Sequence, residues 1–355
     1  MTLEQIGGAV LMLLFLADIF LTVLYARAGT GVLAPRWNRL IWALIKAISR
    51  PFGRRRSAVL SFAGPLIVVA LIGFWALGLT AGAALVIRPE LGTAIRPSSG
   101  DTPTDFVTAL LVAGSSLSIV GGGDYSPHTS DTRLLFLLNS LIGASVLSLV
   151  LSYLVQVYSA LQERNALALN VDLLTGGKGD AAEMLARLGP GGDFSDATSE
   201  LSNLARSLAT IKEAHHFYPL LFYFRFSEPR YAVSRFSFVL LDLTTLIDTS
   251  LDQHKYGTLV RAASVGALRR CALLLLQTLD RHFPNSDDER ATGHGPSYEE
   301  SYAAALATMR GAGITIQPDN AAYAEQRSGW DPLIRRVALE LGYDTDEIQR
   351  RWAPF

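Results

Sequence analysis

The feature that most constrains this 355-residue chain is a set of three long apolar runs, at residues 6–25, 57–87 and 134–161. The second and third hold no charged residue, and the first holds Asp18 alone. A helix needs about 20 apolar residues at 1.5 Å rise to cross a bilayer, so each run is long enough to span. The charges crowd into the sequence after residue 162, so the pattern predicts a membrane half followed by a water-exposed half. Ala26-Arg27-Ala28 has the small-x-small form of a cleavage site. No Lys or Arg precedes the first run, however, and it exceeds a usual signal core, so a retained helix is expected.

A composition of 50% apolar and 18% charged residues with a net charge of −1 excludes both disorder and a nucleic-acid binder working through bulk positive charge. Cys271 is the single cysteine, which removes intrachain disulfides and cysteine-pair zinc sites.

Between Arg27 and Arg56 lie eight basic residues (Arg27, Arg36, Arg39, Lys46, Arg50, Arg54, Arg55, Arg56) and no acid, the mark of a cytoplasmic loop. The N-terminus is then outside, residues 88–133 are external, and residues 162–355 are cytoplasmic, as expected for a multi-pass protein of the plasma (inner) membrane. Trp37, Leu40, Ile41, Leu44, Ile45 and Ile48 recur at the spacing of one helix face, with Arg39 and Lys46 off it. That pattern predicts an interfacial helix, with packing on the cytoplasmic domain as the alternative. Asp18 is costly against lipid and is expected to face protein or a basic neighbour.

The external segment reads DTPTDFVTALLVAGSSLSIVGGGDYSP over residues 101–127, with an apolar middle. Thr102-Pro103 is a cap and first-turn signal, and residues 106–116 predict a helix too short to cross, hence a re-entrant one. Val120-Gly121-Gly122-Gly123-Asp124 follows directly. Glycine-rich backbone at membrane depth is tolerated where protein buries it or where it lines a watery path.

The order of spanning helix, short helix, glycine run, Asp and spanning helix resembles the pore module of the potassium channel family. The usual filter TTVGYGD falls on Ser118, Ile119, Val120, Gly121, Gly122, Gly123 and Asp124. The family's Pro, Thr and Arg after the filter fall on Pro127, Thr129 and Arg133, and its hinge glycine on Gly143. The resemblance covers residues 57–161. It implies ion-facing carbonyls at Ile119, Val120, Gly121 and Gly122, with Gly123 at the outer mouth, in a homotetramer of which each chain supplies a quarter of the cage. Asp124 in fourfold copy would concentrate cations. Monovalent cations, K⁺ by kinship, are the permeant ligand, and no cofactor or structural metal is expected.

Three departures bear on selectivity. Ile119 stands where the family has a threonine hydroxyl at the innermost site, Gly122 where it has an aromatic that pins the filter, and Ser115 where many members carry a glutamate paired with the filter aspartate. Weakened K⁺ over Na⁺ discrimination, or a non-conducting resting shape, is expected. Leu147, Leu151 and Val155 form an i, i+4 stripe beyond Gly143 that would make an apolar gate; the alternative is packing on the second spanning helix. Asn139 is read as facing the cavity or bonding between helices, and His128 as a solvated loop histidine.

Residues 162–355 predict a helical globular domain. Leu201, Leu204, Leu208 and Ile211 mark one helix, Ser227-Glu228-Pro229 start a second, and residues 260–279 form a third. Ser297 and Glu300 cap a fourth, and Asp331-Pro332 start a fifth ending at Gly342. Residues 176–192 and 284–296 read as loops. Gly176-Gly177-Lys178-Gly179 lacks the spacing of a phosphate loop, His215-His216 cannot share a metal from adjacent helix positions, and no nucleophile elbow is present. An enzyme is therefore not expected; the partners expected are the lipid bilayer, further copies of the chain, and an unknown ligand or protein at the cytoplasmic domain. The reading is an all-α membrane protein in three parts: residues 1–56 (extra spanning helix and interfacial helix), 57–161 (pore module) and 162–355 (cytoplasmic helical domain). The alternative is a non-selective or non-conducting pore-like sensor or scaffold.

Overall fold

The computed structural model describes residues 2–25, 31–118, 123–283, 297–344 and 348. The chain is mostly helical and divides into two compact units, residues 1–43 with 65–158, and residues 44–64 with 159–355. Among the described residues, three helices are long and apolar enough to cross a membrane: Leu3–Leu24, Ala63–Glu90 and Ser130–Leu174. They overlap the three apolar runs, the second starting at Ala63 because residues 56–61 form a separate short helix.

In the first unit, α1 (Leu3–Ile19) begins in a capping box between Thr2 and Gln5. It packs on α4 (Ala63–Ile87) where both helices are reduced to glycine: a methyl on Gly8 would lie 2.5 Å from the Gly82 carbonyl oxygen. Gly78 is filled in the same way by the Phe15 ring. Small residues permit this approach in lipid, where helix association relies on close packing rather than on expulsion of water. Phe15, Ile19, Leu71, Trp75, Leu79 and Val150 close the core around that crossing.

Asp18 is fully buried in this core and faces protein. Its partners are the amides of Leu33 (2.7 Å) and Ala34 (3.1 and 3.2 Å) and the Trp75 indole N–H (2.8 Å). Ala34 opens α2 (Ala34–Ser49), so the carboxylate receives otherwise orphaned N–H groups at the positive end of a helix dipole. The buried row of α2 is Ala34, Asn38, Trp42 and Ser49, and Trp37 stacks on Phe74 with ring centroids 4.4 Å apart. The face read from the sequence is thus split. Trp37, Ile41 and Ile45 border the buried row, whereas Leu40, Leu44 and Ile48 are exposed.

Between α4 and the third long helix, α6 (Ser130–Leu174), lie α5 (Phe106–Leu117) and a two-stranded antiparallel ribbon, β1 (Ile95–Pro97) with β2 (Tyr125–Pro127). Its register pairs Ile95 with Pro127 and Pro97 with Tyr125.

In the second unit, α9 (Val233–Ser250) is the central helix, with every residue but Asp248 buried. Around it pack α7 (Ala181–Leu188), α10 (Gln253–Val260), α11 (Ala263–His282) and α13 (Asn320–Glu340). α8 (Ala197–Phe217) lies on α11, and α12 (Tyr298–Gly311) on α7 and α13. The Ser297–Glu300 capping box forms as expected. Four expectations are corrected. The Ser227-Glu228-Pro229 start is a short turn, with helix only from Val233. The third helix begins at Ala263, three residues later than read, and the chain ahead of it forms a separate helix, α10, ending at Val260. α7 occupies part of the stretch read as loop, capped by Asp180. The last helix starts at Asp319–Asn320 and runs through Pro332, where buried Asp331 is paired with Arg335 at 2.6 Å. Residues 284–296 lie outside the described residues.

Residues 44–64, including α3 (Arg56–Ser61), are fastened to this unit by polar contacts. Lys46 pairs with Glu340 (3.1 Å), and Arg225 donates to the carbonyls of Ser57 (2.7 Å) and Gly342 (3.1 Å). The fully buried Arg164, on α6, donates to the carbonyls of Leu221 (3.2 Å) and Phe224 (3.0 Å). His215 is buried with its Nδ1 hydrogen on the Ile211 carbonyl (2.9 Å), and its Nε2 has no hydrogen-bond partner among the described residues. Burial, reinforced by Arg164, pushes its pKa down to about 3.

Candidate pore site

The short helix α5 starts one residue after Asp105, not at Thr102-Pro103. The Asp105 carboxylate accepts from the amides of Val107 (2.9 Å) and Thr108 (3.0 Å) and from the Thr108 hydroxyl (2.7 Å), satisfying first-turn donors that a proline cannot reach. Hydrogen bonds from Thr108 hold this carboxyl below the usual carboxylate range. Twelve residues later the helix closes at Ser118, which leaves helical geometry (φ −73°, ψ 140°) while donating to Gly114 (2.9 Å). The helix's partial negative end therefore lies at Ser118.

Ile119, Val120, Gly121 and Gly122 lie outside the described residues. Both ends of that stretch are placed. On its far side Gly123 and Asp124 are exposed, and the Asp124 carbonyl accepts from the Ser98 amide (3.2 Å). The chain then enters β2 against β1, and the His128 amide bonds to Ala94 (2.9 Å). His128 itself is exposed, as a solvated loop histidine is.

The last turn of α5 is fastened to α6 at two points one helical turn apart. Asn139, buried, donates to the Ser116 hydroxyl (3.0 Å), which in turn donates to the Ala113 carbonyl (2.8 Å). The interhelical role of Asn139 is therefore the one adopted. Gly143 meets the Leu117 carbonyl so closely that a methyl there would overlap it. α6 runs uninterrupted through this position, so close approach is by itself a sufficient reason for the glycine.

Ser115 sits beside Gly123, with its hydroxyl donated to the Leu111 carbonyl (2.9 Å) on its own helix. A cavity of about 550 Å³ opens at this point, lined by Ser115, Ser116, Asp124, Tyr125, Phe136 and Ser140 among others. Further along α6, Leu147, Leu151 and Val155 are exposed. Among the described residues no group of His, Cys, Asp or Glu side chains could hold a metal ion.

The sequence comparison bears directly on this stretch, since residues 67–160 match the ion channel family. These residues are a two-helix pore module of the potassium-channel-like kind. The module takes in most of α4, all of α5 and the glycine run, and α6 as far as residue 160. The chain is also 22% identical over 252 residues to an uncharacterized membrane protein, YdjJ, of Bacillus subtilis strain 168, covering 71% of this chain and 70% of that one. That alignment is longer than the pore module, so the likeness extends outside it. No solved structure matches.

Proposed function

We propose that the protein is a homotetrameric cation channel whose filter is formed by the backbone of Ser118 to Asp124. The observation that carries the reading is the placement of both ends of the glycine run within a pore module. Ser118 closes a short helix fastened to α6, and Asp124 is held by the β1–β2 ribbon. In this reading α5 is re-entrant, and four copies of the Ile119, Val120, Gly121 and Gly122 carbonyls replace the hydration shell of a monovalent cation. Asp124 forms the outer negative ring, and Leu147, Leu151 and Val155 close the inner mouth by dewetting. The basic loop places the N-terminus outside and the second unit in the cytoplasm.

Potassium is the favoured ion, with reduced discrimination against sodium. Ile119 offers an apolar ring where a hydroxyl ring would stand, and Gly122 lacks a side chain to brace the filter. The Ser115 hydroxyl turned onto Leu111 leaves Asp124 without the partner that a longer acid would supply. The same features favour, as a second reading, a pore-like sensor that does not conduct. Planar-bilayer recordings under a K⁺/Na⁺ gradient test both. The expected reversal potential lies between zero and the K⁺ equilibrium value. A reversal at the K⁺ value overturns reduced selectivity, and silence at all voltages favours the sensor.

A further inference from the structure

One face of α6 stays exposed along its course and continues well past the length a membrane requires. Leu151, Val155, Tyr158, Gln162, Asn165, Leu169 and Leu173 follow one another at spacings of four and three residues, starting one turn after Leu147. All are exposed but Asn165, which is half-buried, and Leu173 remains 64% exposed. The opposite face is used within the second unit, where Ala160, Leu161, Arg164, Leu167, Ala168 and Val171 are buried. The flank beside the exposed row is polar apart from Ala166, with Gln156, Ser159, Glu163 and Asn170 all exposed. The exposed leucines are thus confined to a narrow seam rather than spread over the free surface.

Lipid does not account for the end of this seam. The uncharged run at residues 134–161 already spans about 42 Å as helix, more than the roughly 30 Å hydrocarbon core. Glu163 and Arg164 follow it, and Leu169 and Leu173 lie about 12 and 18 Å further along the helix axis. These two leucines therefore stand in water, where a row repeating every three or four residues is the seam of a helical bundle; the 11 residues from Gln162 to Leu173 make three steps, the spacing of a straight or slightly right-handed one. Gln162 and Asn165 form a polar step in the same row, of the kind that fixes register and strand number in such bundles at a cost in stability.

We propose that Gln162, Asn165, Leu169 and Leu173 form a parallel four-helix bundle with the same residues of three further copies. The occupant of this face is a second copy of the chain rather than another protein, for two reasons. The row lies on the helix face that carries Leu147, Leu151 and Val155, and side-chain amides, holding both donor and acceptor, are complementary to themselves. Two amide layers followed by two leucine layers therefore match an identical row in parallel register. The proposal rests on the tetrameric reading above.

Oxidative cross-linking of the full chain in vesicles tests this. In a Cys271→Ser background, Leu169→Cys and Leu173→Cys are expected to give covalent chain pairs on oxidation, while Asn170→Cys on the polar flank gives none. Particle mass measured on the same variants separates the two layers of the argument. Four-copy particles without cross-links at positions 169 and 173 would overturn the bundle and leave the tetramer standing. Single-copy particles would overturn both, and equal cross-linking at position 170 would show chance collision and overturn the bundle. Asn165→Leu is expected to raise the thermal stability of the assembly and to broaden its range of copy numbers; an unchanged copy number with lower stability would count against a seam role for Asn165.

Discussion

Removing the Asp18 carboxylate would strand three donors in the middle of the first unit. The amides of Leu33 and Ala34 and the Trp75 indole all donate to it within 2.7–3.2 Å, and the site is fully buried. A hydrogen bond to a charged group contributes about 1.5–3 kcal/mol in water-soluble proteins, which sets a ceiling of about 5–9 kcal/mol for three. In membranes the unfolded helices keep finding partners, and measured interhelical bonds average about 0.6 kcal/mol, a floor of about 2 kcal/mol. Asp18→Ala is therefore expected to destabilise the chain by about 2–5 kcal/mol. Asp18→Asn should lose less, since one amide oxygen still accepts while the amide nitrogen opposes a donor. Reversible denaturant unfolding in mixed micelles, followed by Trp fluorescence, gives the numbers. A cycle with Trp75→Phe, which removes one of the three donors, should show coupling of about 0.5–1.5 kcal/mol. Additive effects of the two substitutions, or an Asp18→Ala variant as stable as the parent, would refute the claim that this carboxylate holds α1, α2 and α4 together.

Two further perturbations follow from the same geometry. Gly143→Ala drives a methyl into the Leu117 carbonyl, so a loss of about 1–3 kcal/mol is expected from forced displacement at the end of α5. The same unfolding assay reads it, and Asn139→Leu, which strips the neighbouring bond to Ser116, should make the Gly143→Ala cost smaller if the two points act as one fastening. His215 is buried neutral with its pKa depressed from 6.5 to about 3, so its contribution is whole above pH 6.5 and falls as the pH drops below it. At pH 5 the loss is about 2 kcal/mol, and His215→Gln should flatten that part of the stability–pH curve; an unchanged slope would place the titration elsewhere.

The three helices long and apolar enough to cross a membrane are legible in the sequence because length and absence of charge alone specify them, and the extent of α5 is legible within a residue because its apolar run has clear ends. Its cap is not, since Thr102-Pro103 imitates the signal that Asp105 actually supplies. The β1–β2 ribbon is hidden because three-residue strands are too short to show alternation. The clasp at Asp18 joins residues 15 and 57 positions away, which no local pattern records. In the second unit, Pro332 reads as a helix start, yet Arg335 on buried Asp331 and the packing of α13 on α9 carry the helix straight through it. The motif from Ser118 to Asp124 stands out in the sequence for a different reason: under the proposed filter reading, backbone carbonyl chemistry would demand glycine in fixed order, whatever surrounds it.

Conduction through that motif is tested most directly by uptake of radioactive rubidium into potassium-loaded vesicles containing the full chain. Wild type, and Leu151→Asp with its inner mouth kept wet, should accumulate rubidium above empty vesicles, and Gly121→Ala should abolish it. Uptake no greater than that of empty vesicles for both proteins, or uptake indifferent to Gly121→Ala, would contradict the assignment of Ser118 to Asp124 as an ion filter.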